Sequence, residues 1–304
     1  MTLNKQKRLK KKEDLNNSGF ILDIEFKSLR VKIIYGIIFT LFMFLSLVFI
    51  VPILWIVFSA FKDTQEFLKI PPSLFPESIK LAKVAEVWNT TGIGKTYACT
   101  FIMVAGELAF FLISNGLAGY VLSRLKPKGT KLILTLVLWT MMMPTNLGMV
   151  PRFMQFIDVP LIHANLTDTY VPMWIMAGAR AFYAILFKNF FDGIPASYIE
   201  AAKIDGGTEI GIFAKIILPL SKPIIMTTSI FCITEGWGTF LWPYLLIKNE
   251  LLQPIGVKVY TMQNMLSIDR YLMMLIFVIV PPVIVFFFLQ KYIMQGVGGG
   301  GVKG

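Results

Sequence analysis

Six long apolar tracts constrain the fold of this chain more than any other feature of its sequence. They run over residues 33–61, 96–123, 132–151, 169–187, 223–247 and 271–290. A helix of about 20 residues crosses the hydrocarbon core of a bilayer, and lipid offers no hydrogen-bond partners to an unpaired backbone. The tracts therefore predict an all-α polytopic membrane protein with six transmembrane helices. Prolines at Pro52, Pro144 and Pro281-Pro282 predict kinks in spans one, three and six.

The composition agrees with a membrane location. Of the 304 residues, 56% are hydrophobic and 15% are charged, whereas soluble domains are typically about 25% charged. The net charge of +11 could indicate nucleic acid, but the excess of basic residues lies outside the apolar tracts. Membrane orientation explains that excess better. We therefore expect a chain embedded in the lipid bilayer of the plasma (inner) membrane, with no nucleic acid partner.

The distribution of Lys and Arg predicts which side of the membrane each loop occupies. With the N-terminus inside, the cytoplasmic segments carry 19 Lys and Arg residues and the outer segments carry 9, as the positive-inside rule requires. Six spans then place both termini in the cytoplasm. We expect a basic cytoplasmic tail over residues 1–30, a six-helix transmembrane domain over 31–295 and a Gly-rich cytoplasmic tail over 296–304. The first apolar tract is too long for a signal-peptide core and should remain as an anchor.

The stretch TGIGKT, Thr91 to Thr96, ends like a phosphate-binding loop. Such a loop has the form GxxxxGK[ST], in which the first glycine lets backbone N–H groups point at the phosphates. Asn89 holds the position of that glycine, and Lys95 falls at the outer end of span two, where there is no ATP to bind. The sequence predicts a glycine turn before a helix, and a transporter subunit rather than an enzyme with its own ATPase site.

Few residues suit metal binding or catalysis. His163 is the only histidine, and the two cysteines, Cys99 and Cys232, lie in apolar tracts without the spacing of a metal site or a disulfide framework. We expect no catalytic residue, no metal and no cofactor in this chain.

The longest inner loop, residues 190–222, has the local pattern of two short helices. Pro195 suits the first turn of a helix, and Gly206-Gly207 can end that helix in a left-handed turn. Thr208 can cap a second helix. The pattern predicts a helix–turn–helix on the cytoplasmic face, although an amphipathic interfacial helix with no partner would also explain it.

The exact residues of this loop and their spacing are more informative about function than its helical periodicity. Glu200-Ala201-Ala202, three residues, Gly206, nine residues, Ile216, one residue and Leu218-Pro219 follow in order. This resembles, at every fixed position, the EAA loop of permease subunits in ATP-binding-cassette (ABC) importers. Asp205-Gly206 is similar to the usual continuation of that motif, with Gly207 in place of alanine. Further stretches resemble the carbohydrate-uptake branch and its MalG-like second permease: VPILWIVFSAFKD, LAGYVLSRLKPKG, MMMPTNLGMVPRFMQF, FFDGIPASYIEAA and QKYIMQGVGGGGVKG.

The resemblance implies the type I ABC importer permease fold, with a cytoplasmic coupling helix that docks into a cleft of a separate ATPase. Small Ala201 and Ala202 would allow close approach, and Glu200 could pair with a basic residue of that ATPase. The coupling residues implied by the motif are Glu200, Ala201, Ala202, Asp205, Gly206, Ile216, Leu218 and Pro219. The implied partners are a second related permease in a heterodimer, two cytoplasmic ATPase subunits that bind ATP and Mg, an extracellular solute-binding protein and a carbohydrate substrate.

Three charged residues, Glu107, Arg180 and Glu235, lie inside the predicted spans. Each is 12 or 13 residues from a charge of an outer loop, which is roughly 18–20 Å along a helix. They therefore share one level near the midplane. Charges at that depth are costly and usually pair or face a cavity. We predict that Arg180 pairs with Glu235, Glu107 or both.

The sequence leaves the role of these charges open. They could line a translocation cavity together with Trp237, Trp242 and Tyr244, whose rings could stack on sugars, or they could form a structural ion pair between spans two, four and five. Trp242 and Tyr244 could equally be interfacial anchors. Close helix packing better explains three residues of span two, namely Asn115, Gly116 and Gly119.

Two other functional classes are weighed against the importer. A gradient-driven secondary carrier would use the midplane charges Glu107, Arg180 and Glu235, and would often show an inverted repeat and broken helices. No convincing repeat relates the two three-span halves. An intramembrane enzyme would need a nucleophile–base pair or metal ligands within the spans, which the sequence lacks.

Overall fold

The computed structural model describes residues 29–298, except Pro72, Thr145 and Asn146. Residues 1–28 of the predicted basic tail therefore lie outside the described residues, and so do residues 299–304 of the predicted Gly-rich tail. The chain divides into two units, residues 1–59 and residues 60–304.

Helix α1, Leu29–Ala60, accounts for the described part of the first unit. It coincides with the first predicted span and carries Pro52 in its interior. Proline has no backbone N–H, so one hydrogen bond of the helical ladder is absent there. The helix is long and apolar enough to cross a membrane.

The helices of the second unit follow in chain order after a short 3₁₀ turn at Thr64–Leu68. They are α2 Ala82–Thr91, α3 Ile93–Leu125, α4 Thr130–Met142, α5 Met149–Ile157, α6 Val171–Gly178, α7 Ala181–Asp192, α8 Ala196–Ile204, α9 Glu209–Leu220, α10 Lys222–Gly238, α11 Leu241–Leu246, α12 Ile255–Met262 and α13 Ile268–Gly298.

Within the described residues, α1, α3 and α13 are each long and apolar enough to span a membrane by themselves. A fourth span results if α9 and α10, which meet at a bend of 78°, are taken together. The third and fourth apolar tracts are each divided between two shorter helices. The all-helical fold is as predicted, whereas the six spans and the cytoplasmic location of both termini stay predictions.

The division of the third tract has a local cause. Helix α4 ends at Met142, and Met143 adopts an extended backbone with φ −80° and ψ 132°. A residue that precedes proline is pushed out of the helical region by the proline ring. Pro144 therefore ends the helix rather than kinking it, and the chain resumes as α5 at Met149.

Helix α3 is the element against which most of the second unit packs, with α6, α7 and α10 as its main neighbours. Small residues of α3 allow this close packing. The ring of Trp174 occupies the space beside Gly106, and the backbone of α7 at Phe187 and Lys188 lies against Gly119. The core between α3 and α7 is aromatic, because Phe111, Phe187 and Phe191 are all fully buried there.

Candidate translocation and coupling sites

The predicted ion pair of Arg180 is present with Glu235. The guanidinium of Arg180 contacts Oε2 of Glu235, and the hydroxyl of Tyr183 donates a hydrogen bond to Oε1 of the same carboxylate at 2.9 Å. The pair is partly open, since the side chains of Arg180 and Glu235 are 30% and 50% exposed. Tyr183 itself is buried, so its hydrogen bond fixes the orientation of the Glu235 carboxylate.

Glu107 lies apart from this pair. Its side chain is buried, and its Oε2 atom has no hydrogen-bond partner among the described residues. It packs against the backbone of α10 at Gly236, where any larger residue would overlap the carboxylate. Among the described residues, two donors therefore satisfy the carboxylate of Glu235, whereas the Oε2 atom of Glu107 lacks a hydrogen-bond partner.

A break in the fourth predicted span positions Arg180. Helix α6 ends at Gly178 and α7 begins at Ala181, because Ala179 and Arg180 adopt non-helical backbone angles. Breaking a helix frees backbone groups that lipid cannot satisfy. Asn115 of α3 supplies partners for two of them: its Nδ2 donates to the carbonyl of Ala177 at 3.2 Å, and its Oδ1 accepts from the N–H of Arg180 at 3.3 Å.

The aromatic residues proposed to line a cavity have different surroundings. Trp237 is buried, and its indole N–H donates to the carbonyl of Val278 at 3.1 Å. It therefore packs α10 against α13, a direction that its position in the sequence does not reveal. Its ring also lines an apolar cavity of about 220 Å³ together with Phe101 and Pro281, and its role in a translocation pathway stays a prediction. Trp242 is half-buried, with its ring edge-on to Phe156. Tyr244 is exposed, and both residues remain candidates for either of their predicted roles.

The TGIGKT stretch forms the expected turn. Helix α2 ends at Thr91, Gly92 adopts a left-handed conformation with φ +66°, and α3 begins at Ile93. The hydroxyl of Thr96 donates to the carbonyl of Gly92. The segment therefore joins two helices and does not wrap a cradle of N–H groups around an anion.

The loop with the EAA motif folds as the predicted helix–turn–helix. Helix α8 ends at Ile204, Gly206 takes a left-handed backbone with φ +78°, and α9 starts at Glu209. A residue with a Cβ atom rarely adopts that conformation, which explains the glycine. The hydroxyl of Thr208 accepts a hydrogen bond from the N–H of Gly211 at 3.2 Å, which caps the second helix as expected.

The motif residues are divided between an exposed surface and the packed interior of the loop. Half-buried residues of the motif are Ala202, Ile216 and Leu218, and exposed ones are Glu200, Ala201, Asp205, Gly206 and Pro219. Ile199 is buried beneath α8. Two large apolar side chains near the Gly206 turn, Ile204 and Ile210, are also exposed, at 86% and 82%.

Sequence reasoning missed several residues of these two regions. It assigned Asn115 to helix packing and did not select Tyr183, although both hold the group around Arg180. It used the LAGYVLSRLKPKG stretch as part of the family resemblance without assigning roles to its residues, whereas Ser123 and Arg124 within it contact the loop. The resemblance of LAGYVLSRLKPKG to the permease family was the available signal for these residues.

Apolar spanning helices, a charged pair held between them and a polar helix–turn–helix loop are the features of a multi-pass membrane protein. The chain belongs to the family of binding-protein-dependent transport system inner membrane components, which it matches over residues 18–299. This confirms the family predicted from the EAA motif and the location in the inner membrane.

Several relatives are similar over most of their length. The chain is 31% identical over 228 residues to the diacetylchitobiose uptake system permease protein NgcG of Streptomyces coelicolor, which covers 74% of each chain. It is 32% identical over 226 residues to the polygalacturonan/rhamnogalacturonan transport system permease protein YtcP of Bacillus subtilis, covering 74% of this chain and 75% of the relative. It is 30% identical to the arabinooligosaccharides transport system permease protein AraQ of Bacillus subtilis, covering 89% and 97%.

A solved structure shares the fold. The chain superposes with a TM-score of 0.76 on a chain of a bacterial ABC transporter involved in the import of the acidic polysaccharide alginate. The match covers 87% of this chain and 98% of the other, at 24% sequence identity. The arrangement of helices is therefore that of an ABC importer permease.

Proposed function

We propose that this chain is one permease subunit of an ABC importer that takes up carbohydrate oligomers. The observation that carries the proposal is the EAA loop, which forms a capped helix–turn–helix with an exposed face in a chain of this family. The names of three relatives each refer to transport of a di-, oligo- or polysaccharide. Their shared substrate class supports a saccharide as the solute of this chain.

In this proposal the loop docks on a cytoplasmic ATPase. Exposed apolar side chains on a cytoplasmic surface are costly unless a partner covers them, and Ile204 and Ile210 lie beside the exposed motif residues. Two ATPase subunits hold ATP and Mg, and this chain contributes no ATPase site. When the ATPases close, α8 and α9 move with them and the spans rearrange around the solute.

The face that carries Arg180 and Glu235 lines the pathway shared with a second, related permease. Partly exposed charges within the spans do not face lipid, because the hydrocarbon region gives them neither water nor partners. The open side of the pair therefore faces water or the other subunit. An extracellular solute-binding protein delivers the saccharide to the outer end of this pathway.

Co-purification tests the coupling role. We compare the wild-type complex from its native membrane with a variant that carries Glu200→Arg and Ala201→Trp, both at exposed positions of α8. We expect the ATPase to be lost and the second permease to be retained, as judged by mass spectrometry. Glu250→Arg, the same charge change in an exposed outer turn, is the matched control and should keep the ATPase. Absence of any ATPase from the wild-type complex would contradict the proposal.

The broken helices keep a gradient-driven carrier as a second candidate, because interrupted helices with midplane charges are typical of such carriers. Here α6 and α7 are interrupted next to Arg180, and α10 and α11 are interrupted at Thr239 and Phe240. Reconstituted wild-type complex distinguishes the two. Uptake driven by a proton or sodium gradient without ATP would favour the carrier, whereas ATP hydrolysis stimulated by the loaded solute-binding protein would favour the importer.

A further inference from the structure

The last turn of α3 contacts the coupling loop through a half-buried arginine. One guanidinium nitrogen of Arg124 donates to the backbone carbonyls of Phe191 and Ile194. Helix α7 ends at Asp192, and the final carbonyls of a helix have no partners within it. A cation is also favourable at that negative end of the helix dipole. Arg124 therefore caps α7 at the point where the chain enters the EAA loop.

A second contact lies beside the first. The hydroxyl of Ser123, which is 1% exposed, donates to Oδ1 of Asp192 at 2.6 Å. Lys188 contacts the other oxygen of that carboxylate at 2.6 Å. A carboxylate at the C-terminal end of a helix is unfavourable by itself, so these two donors compensate for its position and fix the entrance of the loop against α3.

A third contact reaches the far side of the loop. The hydroxyl of Tyr120, a buried residue, donates to Oε2 of Glu209 at 3.0 Å. Oε1 of Glu209 pairs with Lys203 of α8 at 2.6 Å. One residue of α3 is thereby connected to both helices of the loop, across the Gly206 turn.

The last five residues of α3, Val121–Leu125, form a π-helical turn, and Tyr120, Ser123 and Arg124 all contact the loop from this end of the helix. Immediately before them, Gly119 lies against the backbone of α7. From this end α3 runs without interruption to Asn115, which holds the break beside Arg180. The loop is therefore fixed to a continuous helix that also contacts the midplane group.

We propose that Tyr120, Ser123 and Arg124 form a clamp that transmits displacement of the coupling loop by the ATPase to α3. This inference rests on the proposed importer function and adds a specific route to it. Arg124 is a positioning residue that acts by holding the loop in register with α3.

The test uses the assembled importer in proteoliposomes, with wild type, Arg124→Ala, Arg124→Lys and the control Lys128→Ala. Lys128 is an exposed neighbour whose replacement removes the same charge. ATP hydrolysis is measured per assembled complex, with and without the loaded solute-binding protein. We expect Arg124→Ala to keep the ATPase bound and to retain basal hydrolysis, but to lose stimulation by about tenfold, as expected for loss of hydrogen bonds from a charged donor. Arg124→Lys should recover part of the stimulation, and Lys128→Ala should match wild type.

The outcomes separate the clamp from the function on which it rests. If wild-type complex is stimulated and Arg124→Ala is stimulated equally per complex, the clamp is wrong and the importer stands. If the wild-type complex has no ATPase or no stimulation, the proposed function itself fails. Should Arg124→Ala not assemble, the milder double variant Tyr120→Phe with Ser123→Ala removes two hydroxyl groups only. Full stimulation of that variant would likewise overturn the clamp.

Discussion

Helix α3 and the neighbouring pair α6 and α7 pack side by side, yet one is continuous and the other is interrupted. Helix α3 runs from Ile93 to Leu125 with a π-helical last turn and no non-helical residue, whereas the fourth predicted span is interrupted at Ala179 and Arg180. The charged pair and the break are at the same place, and the clamp contacts lie on the continuous helix. The difference indicates that α3 acts as a rigid element and that the interrupted pair α6 and α7 can change conformation, although the two pack along each other.

The connection between the two elements is a single amide side chain. Asn115 is 1% exposed and belongs to the continuous helix, but it completes the hydrogen bonding of the interrupted one. An interrupted span without such a partner would leave polar backbone groups unsatisfied in an apolar environment. The following predictions test this division of roles.

Replacing Asn115 by leucine should have the largest effect on stability. The substitution removes the partners of the Ala177 carbonyl and of the Arg180 N–H, and each buried group left unsatisfied costs roughly 1–3 kcal/mol. We expect the free energy of unfolding to fall by about 2–5 kcal/mol in total, measured by thermal unfolding in detergent. Ser114→Ala, the preceding residue, is the control and should change little. Equal stability of wild type and Asn115→Leu would show that the break does not depend on Asn115.

A matched pair of alanine substitutions tests the contact between α3 and α7. A Cβ atom at position 119 would lie 2.6 Å from Cβ of Phe187 and 2.9 Å from the N atom of Lys188. Overpacking of this kind costs about 1–3 kcal/mol, so Gly119→Ala should lower the unfolding temperature. Position 116 has no heavy atom within 4 Å of the added carbon, and alanine is favoured over glycine in a helix by up to about 1 kcal/mol. Gly116→Ala should therefore raise the unfolding temperature. A change of the unfolding temperature in the same direction for both variants would contradict the packing described.

The two midplane carboxylates should also respond in opposite directions. Glu235→Gln leaves Arg180 without its anionic partner, and since the pair is partly exposed the loss should be about 1 kcal/mol. The Oε2 atom of the buried Glu107 carboxylate has no hydrogen-bond partner among the described residues. Glu107→Gln replaces this carboxylate with a neutral group of the same shape, which should stabilise the protein by about 1 kcal/mol. Both values can be obtained from parallel unfolding experiments. A destabilising Glu107→Gln would mean that Glu107 has a partner in the assembled protein.

The smallest effect is expected at Asp192, outside the spans. Partial burial by itself raises the pKa of this carboxyl, but hydrogen bonds from Lys188 and Ser123 outweigh burial, so the pKa lies below its usual value. Such a group stabilises the fold above the pKa of the unfolded state, and the contribution is lost as the pH falls through the folded pKa. Asp192→Asn should thus cost about 0.5 kcal/mol at neutral pH. The difference from wild type should shrink below about pH 4 in a pH series of unfolding measurements, and a difference that grew in acid would contradict this pairing.

The coupling loop could be predicted from sequence because its conformation is set locally. Gly206 is the residue type that adopts φ +78° with least strain, and Thr208 caps the helix that follows it. The end of α4 is also set locally, since Pro144 restricts the backbone of the residue before it. A kink was predicted there, and a helix end is found.

The interruption between α6 and α7 has only a weak local signal, which is Gly178 as the last residue of α6. Ala179 and Arg180 are residues that a helix accepts readily, and the conformation depends on Asn115, which is 65 residues away in the chain from Arg180. The direction of the Trp237 ring is likewise decided by a carbonyl of α13. Periodicity identifies the helices, but it does not identify long-range partners that stabilise a departure from helix.

The exposure of Ile204 and Ile210 has a consequence for the biosynthesis of this protein. If the chain docks on an ATPase as proposed, a copy made in excess of that partner would carry two exposed large apolar side chains, one on either side of the Gly206 turn. Chaperones and proteases recognise such surfaces, so unassembled copies should be removed faster than assembled ones. The cellular supply of the ATPase would then set the lifetime of the permease, and expression of the permease alone should give a shorter half-life in pulse–chase experiments.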